Sequence, residues 1–205
     1  MKRTIGWALI LGTMAGVAAI QDGAKLELLA QNKEKGVEMR APKSPGKEQM
    51  WEAKLKGDGF HKEPAALVRH RVDAFSVEVN VVQRNGDDMS GDFPASWPKP
   101  SVIAGKERTH FTEGGNKELD YTECRLISED PKAKLGGLPG PAYSHRIELT
   151  DKKGTKRELI EYFVISNDVL YRITVAFTKE TYDKHWAVDG QYILHNIRRC
   201  KIEKK

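Results

Sequence analysis

An acidic loop supplies the first group of side chains that could bind a ligand. The stretch NGDDMSGD contains Asn85, Asp87, Asp88 and Asp92, whose oxygen atoms are of the kind that calcium prefers. Its spacing lacks the alternating ligands and the closing glutamate of an EF-hand calcium loop. Two interpretations follow: calcium binds at Asp87, Asp88 and Asp92, or, as we prefer, the stretch is a polar turn between strands.

The histidines of the chain form no recognisable metal motif. No two of them have the HxxxH or HExxH spacing that places two imidazoles on one face of a helix, so a helical zinc site is not predicted. We expect His145, on an apolar strand face, to be a hydrogen-bonded core residue. His185 lies between Asp183 and Asp189, and we expect it to face water. The six histidines are His61, His70, His110, His145, His185 and His195.

Motifs for nucleophilic catalysis and phosphate binding are lacking as well. The sequence contains no GxSxG turn of the kind that activates a serine. Cys124 could act as a nucleophile only if folding brings a histidine beside it. The glycine-rich stretches EGGN and LGGLPG lack the GxxxxGKS or GxxxxGKT spacing of a phosphate loop, so they predict turns.

The N-terminus has the layout of a secretory signal peptide. Lys2 and Arg3 precede an apolar run from Ile5 to Ile20, and small residues lead to a predicted cleavage site after Ala19. The run is short for a membrane-spanning helix, which leaves an uncleaved anchor as the alternative. We therefore expect the mature protein to be exported, and to be either periplasmic or secreted.

The chain divides into three parts. A signal peptide (1–19) precedes a polar N-terminal segment (20–47), which we expect to be flexible, and a single domain (48–205) follows. In the N-terminal segment, KLELLAQNKEK predicts a short helix and GVEMRAPKS predicts an edge strand. No later apolar run is long enough to cross a bilayer, so we expect no transmembrane segment in the mature chain.

The two cysteines, Cys124 and Cys200, follow the signal peptide. An even number of cysteines in an exported chain favours pairing, and we predict a disulfide between them. A bridge that closes so long a segment would contribute about 4 kcal/mol in the chain-entropy model. The alternative is two unpaired thiols, one in a strand and one near the C-terminal end.

The charge of the chain is too small to indicate a nucleic-acid partner. The formal net charge is +5, and it falls further when Lys2 and Arg3 leave with the signal peptide. A C-terminal basic cluster could contact an anionic membrane surface or an acidic partner, but we prefer a solvated tail. This cluster consists of Arg198, Arg199, Lys201, Lys204 and Lys205.

Alternating hydrophobicity predicts a series of antiparallel strands. MWEAKLKG, VDAFSVEVNVV and LDYTECRLIS each place apolar residues on one face, and QRNGDDMSGDFPASWPKPS predicts a long loop. A meander of YSHRIELT, ELIEYFVIS and VLYRITVAF follows, joined by the short turns DKKG and ND. Because ELIEYFVIS is apolar on both faces, both faces of the sheet must be covered.

One long amphipathic helix is predicted to provide part of that cover. Thr178 is a suitable N-cap, and the helix would extend to Asn196 although Gly190 weakens it by about 1 kcal/mol. Its apolar positions recur at spacings of four and seven: Tyr182, Trp186, Ile193 and Ile197. The predicted fold class is therefore α+β, an antiparallel β-sheet flanked by helices.

The order of features in the C-terminal third carries a family resemblance. The turn GLPG precedes the meander, LYRITVAF leads into a helix containing ETYDKHW, and YILHNIRR follows. This order resembles the PsbP-like superfamily, whose recurring LYxITV and ILxSI patterns correspond to Leu170–Val175 and Ile193–Ile197, with Asn196 where serine is frequent. The resemblance implies an α/β/α sandwich around an antiparallel sheet, and a binding or assembly role instead of a shared enzyme activity.

We therefore expect an exported, non-enzymatic binding or assembly module of the cell envelope. Its partner would be another envelope protein or a small ligand. One alternative is an exported hydrolase or isomerase with a site assembled from separate loops, for which His110 and His145 are the residues to test. Another is a metal-binding protein that uses the Asp87–Asp92 loop to hold calcium, and we expect no other cofactor.

Overall fold

The strands form two antiparallel sheets. The computed structural model describes residues 27–42, 50–54, 60, 64–83, 97–112 and 121–202. The strands are β1 (Glu27–Asn32), β2 (Val37–Ala41), β3 (Trp51–Lys54), β4 (Ala66–His70), β5 (Phe75–Gln83), β6 (Tyr121–Asp130), β7 (Ala142–Asp151), β8 (Lys156–Ser166), β9 (Val169–Phe177) and β10 (Arg198–Arg199). Seven of them form a large sheet in the order β3-β4-β5-β9-β8-β7-β6, and three form a small sheet in the order β1-β2-β10.

The described helices are short, and they lie on both faces of the large sheet. They are α1 (Pro100–Thr112), α2 (Lys179–His185) and α3 (Gln191–His195), with a π-helical turn (Trp186–Gly190) between α2 and α3. The fold is thus mostly β. The expectation of an antiparallel sheet accompanied by helices is confirmed in this coarse form.

The predicted meander is formed as expected. Strands β7, β8 and β9 pair in sequence, and Ser166 of β8 pairs with Val169 of β9. The two residues between them, Asn167 and Asp168, have φ angles of 49° and 62°. Left-handed angles at both central positions define the turn that suits the twist of a hairpin, and asparagine and aspartate tolerate them well.

Strand β8 is covered on both faces, as its sequence requires. Ile160 and Val164 pack in a core shared with the small sheet and the C-terminal helical region. Leu159 and Phe163 point the other way, into two apolar clusters that include residues of α1. Helix α1 therefore covers one face of the large sheet, and the small sheet with α3 covers the other.

The C-terminal helical region begins where the sequence predicts. The Thr178 hydroxyl accepts the Thr181 amide hydrogen at 3.3 Å, and the Thr181 hydroxyl accepts that of Thr178 at 2.9 Å. This reciprocal capping fixes the start of α2. Tyr182 and Trp186 pack against the core as expected.

The predicted continuous helix is nevertheless interrupted at the π-helical turn. A Cβ atom at Gly190 would lie 2.9 Å from Cε3 of Trp186 and 3.0 Å from Cζ of Phe75. Glycine is therefore required for the aromatic rings to approach the backbone here. The close packing explains why a residue of poor helix propensity stands in a helical region.

Helix α1 was not predicted from the sequence. It begins at Pro100, which suits the first turn of a helix because proline has no amide hydrogen to leave unpaired. Ile103, Ala104 and Phe111 are its apolar contacts with the sheet. Three buried apolar residues give a weak periodic signal, which explains the omission.

The prediction for the N-terminal segment is partly wrong. The described part of KLELLAQNKEK, from Glu27 onward, forms strand β1 and a turn instead of a helix, and β2 is the central strand of the small sheet instead of an edge. Val37, Met39 and Ala41 of β2 are buried against the large sheet, and tertiary packing outweighs helix propensity here. The predicted signal peptide (1–19) lies outside the described residues.

The predicted disulfide is not formed. Cys124 lies on the edge strand β6 and packs beside α1, whereas Cys200 follows β10 and its thiol contacts the Asn32 carbonyl at 3.7 Å. The two cysteines therefore belong to different layers, too distant for an S–S bond. Separately, no helix among the described residues has the length and apolar character needed to span a membrane.

Candidate metal centre

Two histidines and an aspartate converge where α2 meets the turn between β4 and β5. His70 is the last residue of β4, Asp73 lies in the turn, and His185 is the last residue of α2. The turn brings Asp73 back beside His70, and the capped start of α2 directs His185 toward both. One potential ligand atom of each residue lies within 4.8 Å of those of the other two.

Asp73 is the centre of this arrangement. Its Oδ2 lies 2.6 Å from Nε2 of His185 and 2.8 Å from Nζ of Lys184. Its backbone amide donates to Nδ1 of His70 at 3.0 Å, and that nitrogen lies 3.5 Å from Oδ2. On the far side, Nδ1 of His185 is 2.9 Å from Oδ2 of Asp189. Each ring nitrogen of His185 therefore faces a carboxylate.

Aromatic rings enclose the two imidazoles. The rings of His70 and His185 lie 4.5 Å apart, and Trp51 packs edge-on against them at 5.1 and 5.9 Å. Phe75 lies 5.6 Å from His185. His185 is only 5% exposed and His70 only 8%, so both rings are held in place by apolar packing.

The surroundings of the site shift the pKa values of Asp73 and His70 toward the forms that bind a metal. Hydrogen bonds from Lys184 and His185 lower the pKa of Asp73 to about 2, so this carboxylate is ionised at neutral pH. Burial lowers the pKa of His70, and the neighbouring His185 and Lys184 lower it further, although Asp73 and Asp189 oppose this effect. A lowered pKa favours the neutral imidazole, which is the form that binds a metal.

Two imidazole nitrogens and one carboxylate oxygen are a common ligand set for zinc. Asp189 adds a further feature, because metal-binding histidines usually donate their second N–H to a carboxylate that fixes the ring. Nδ1 of His70 now accepts the Asp73 amide hydrogen. A metal that uses this nitrogen must replace that hydrogen bond.

A second histidine–carboxylate cluster lies on the opposite face of the sheet, beneath α1. Nε2 of His145 lies 2.9 Å from Oε2 of Glu161, and Nδ1 lies 3.0 Å from a guanidinium nitrogen of Arg108. Because a guanidinium only donates, Nδ1 must accept, and the proton is on Nε2, which donates to Glu161. The expectation that His145 is a hydrogen-bonded core residue is confirmed.

Arg172 completes this second cluster. Its guanidinium contacts Oε1 of Glu161 at 2.8 and 3.0 Å and Glu107 of α1 at 2.6 Å. Burial alone would lower the pKa of Arg172, but Glu161 and Glu107 raise it above its usual value. The side chains of His145 and Glu161 are each 0% exposed, so the centre of this cluster, which joins α1 to the sheet, is closed to solvent.

The structure places the other predicted site residues as follows. Asp87, Asp88 and Asp92 lie outside the described residues, so the calcium loop stays a prediction. The thiols of Cys124 and Cys200 do not pair, as described above. His110 lies on α1 and is exposed. Near the C-terminus, the basic residues Arg198, Arg199 and Lys201 are exposed as well. His61, Lys204 and Lys205 lie outside the described residues.

The expectation that His185 faces water is wrong, and this error hid the candidate site. His185 and Asp189 are four positions apart, a spacing that makes residues neighbours on a helix. No such spacing connects His185 with His70 or Asp73. His70 and Asp73 meet His185 only because β4 and β5 lie beside α2. The signal is therefore tertiary, and motif spacing could not supply it.

Comparison with known proteins supports the fold. No protein-family model matches the chain, and no curated protein matches its sequence. Among solved structures, it is similar to cyanobacterial PsbP from Synechocystis sp. PCC 6803, with a TM-score of 0.56 and 12% identity over 92% of this chain and 98% of that chain. A protein of unknown function from Pseudomonas aeruginosa aligns with a TM-score of 0.37 and 13% identity, over 79% of this chain and 89% of that one, which is too distant to indicate a shared fold.

Proposed function

Starting from its PsbP-like fold, we propose that this protein is a non-enzymatic binding module that holds one divalent transition-metal ion, best fitted by zinc, at His70, Asp73 and His185. The observation that carries the proposal is the convergence of these three side chains, with one ligand atom of each within 4.8 Å of the others. They come from a strand, a turn and a helix, and apolar packing orients them.

The chemistry of the donor atoms favours zinc over calcium. Imidazole nitrogen is a good ligand for zinc and other late transition metals, whereas calcium takes six to eight oxygen atoms. This cluster offers two imidazoles and one carboxylate. Three protein ligands leave the fourth tetrahedral position of zinc to water or to a group supplied by a partner.

The metal site at His70, Asp73 and His185 fits a binding role better than an enzymatic one. In the cluster beneath α1, the paired side chains of His145 and Glu161 are closed to solvent. The proposed metal instead joins the turn between β4 and β5 to the C-terminal helical region, which would stabilise the layer that covers the sheet. In this proposal the covering layers form an α/β/α sandwich, and the signal-like N-terminus directs the module to the cell envelope.

A zinc titration in competition with a chromophoric chelator tests the proposal. The purified protein should bind one zinc ion per chain and become more stable to heat, because binding to the folded state alone raises stability. His70→Ala and His185→Ala should each abolish this binding, while Asp189→Asn should weaken it about 10- to 100-fold.

The matched control is His195→Ala, which removes an exposed histidine of the same helical region. This variant should bind zinc as the unchanged protein does. Zinc binding that survives loss of both His70 and His185, or no binding by the unchanged protein, would overturn the proposal.

A further inference from the structure

We infer that Lys184 is a tethered competitor for the proposed metal: its ammonium group occupies Asp73, and metal binding releases it to the protein surface. This inference rests on the proposed function. In this inference Lys184 lowers the affinity for the metal. It also makes the surface of the metal-bound protein differ from that of the metal-free protein.

The first step is the crowding of one oxygen atom. Oδ2 of Asp73 lies 2.8 Å from Nζ of Lys184 and 2.6 Å from Nε2 of His185. A carboxylate oxygen has two lone pairs in the plane of the group, and these two donors use both of them. A metal that binds Oδ2 together with Nε2 of His185 takes the place of the proton that His185 donates, which is released to water, and the metal then lies beside the Lys184 ammonium group.

The second step is which donor moves away. His185 is itself a proposed ligand, and its ring is enclosed by Trp51, Phe75 and His70. The Lys184 side chain is 61% exposed, and its ammonium group is carried by a flexible aliphatic chain. The ammonium group can return to water, which solvates it well, whereas the imidazole stays in place and exchanges its hydrogen bond to Asp73 for the metal.

The third step is electrostatic. A divalent ion on Asp73 would lie close to the ammonium group and repel it. Because the ion pair is exposed, its loss costs little. Metal binding and the contact between Lys184 and Asp73 therefore oppose each other, so removal of the lysine should strengthen metal binding.

The released ammonium group would change a particular surface. Val72 and Val188, which are next in sequence to Asp73 and Asp189, are 77% and 72% exposed. Lys184 precedes Val188 by four positions, across the junction of α2 with the π-helical turn. Metal binding would thus free a positive charge near two exposed apolar side chains. A partner that contacts this surface could therefore distinguish the metal-bound protein from the metal-free protein.

Two measurements test this inference. In the first, Lys184→Met is compared with Lys179→Met, which removes an exposed lysine from the first position of the same helix. Lys184→Met should raise the zinc affinity about three- to tenfold, and Lys179→Met should leave it nearly unchanged.

The second measurement needs no variant. The unchanged protein is treated briefly with an acetylating reagent, with and without zinc, and the modified lysines are located by mass spectrometry. Acetylation of Lys184 should rise when zinc is bound, while that of Lys179 should stay constant.

The outcomes separate this inference from the proposed function. If the unchanged protein binds zinc but both lysine variants have equal affinity and Lys184 acetylation is constant, the inference is overturned and the proposed function stands. If the unchanged protein binds no zinc, both are overturned. A rise in affinity together with a rise in Lys184 acetylation supports the inference.

Discussion

Nε2 of His185 lies 2.6 Å from Oδ2 of Asp73, although 112 positions separate the two residues in the chain. This contact attaches the end of α2 to the turn between β4 and β5. Nδ1 of His185 contacts Asp189, so the imidazole links the turn to the π-helical segment. The C-terminal helical region is thus held to the sheet by a polar contact as well as by apolar packing.

Loss of this contact should loosen α2. Asp73→Ala leaves a buried imidazole nitrogen without its acceptor, so the amides of α2 should exchange with solvent deuterium about fivefold faster or more. Hydrogen exchange with mass spectrometry measures this change. Asp183→Ala, which removes an exposed acid from the same helix, is the control and should leave exchange unchanged. Equal exchange in both variants would contradict the structural role of Asp73.

Gly190→Ala should destabilise the protein, contrary to helix propensity. Propensity alone predicts a gain of about 1 kcal/mol, but the added methyl group would contact Trp186 and Phe75 at 2.9 and 3.0 Å. We expect a loss of about 1 to 3 kcal/mol in the free energy of unfolding, measured by urea denaturation.

The matched control for this prediction is Gly105→Ala in α1. Apart from the helix backbone, its Cβ would meet one atom of the described residues within 4 Å, in the Arg108 guanidinium at 4.0 Å. This variant should gain roughly 0.5 to 1 kcal/mol. A gain of stability in both variants would show that the packing around Gly190 is looser than described.

Glu161 should be the most sensitive charged residue of the cluster beneath α1. Glu161→Gln removes the carboxylate that Arg172 and His145 share, and it leaves a buried guanidinium with only part of its balancing charge. The free energy of unfolding should fall by about 3 to 5 kcal/mol. Glu148→Gln is the control: its partners Arg125 and Lys156 are exposed, so the change should be small. Similar losses in the two variants would refute this account of the cluster.

The thiol of Cys124 should react slowly at neutral pH. Burial, and secondarily the Glu161 charge, raises the pKa of Cys124 to about 11 against an opposing effect of Arg108. Because only the thiolate reacts, alkylation should be about a hundredfold slower than for an ordinary thiol at pH 8, and its rate should rise until the pH approaches 11. Mass spectrometry after alkylation at several pH values measures this. A mass showing a bond between Cys124 and Cys200 would contradict the structure.

The parts of the fold that sequence could predict are those with a local signal. The meander follows from alternating apolar residues and the Asn167–Asp168 turn, and the start of α2 follows from Thr178. Helix α1 lacks such a signal because only a few of its residues contact the sheet. Strand β1 was mistaken for a helix because its conformation depends on pairing with β2.

The candidate site escaped prediction for a similar reason. His185 has charged neighbours in the sequence, and charged neighbours on a helix usually indicate a wet face. Only the packing of α2 beside Trp51 and Phe75 turns this ring inward. The order of the strands in the sheet places the turn between β4 and β5 beside His185. That order cannot be predicted from a local sequence pattern.

A zinc-bound crystal, with anomalous diffraction measured at the zinc absorption edge, tests the central claim most directly. The proposal predicts one strong peak among His70, Asp73 and His185, about 2.0 to 2.2 Å from a nitrogen of each histidine and an oxygen of the aspartate. A peak at any other set of residues, or an unchanged hydrogen bond between His185 and Asp73 at saturating zinc, would contradict it.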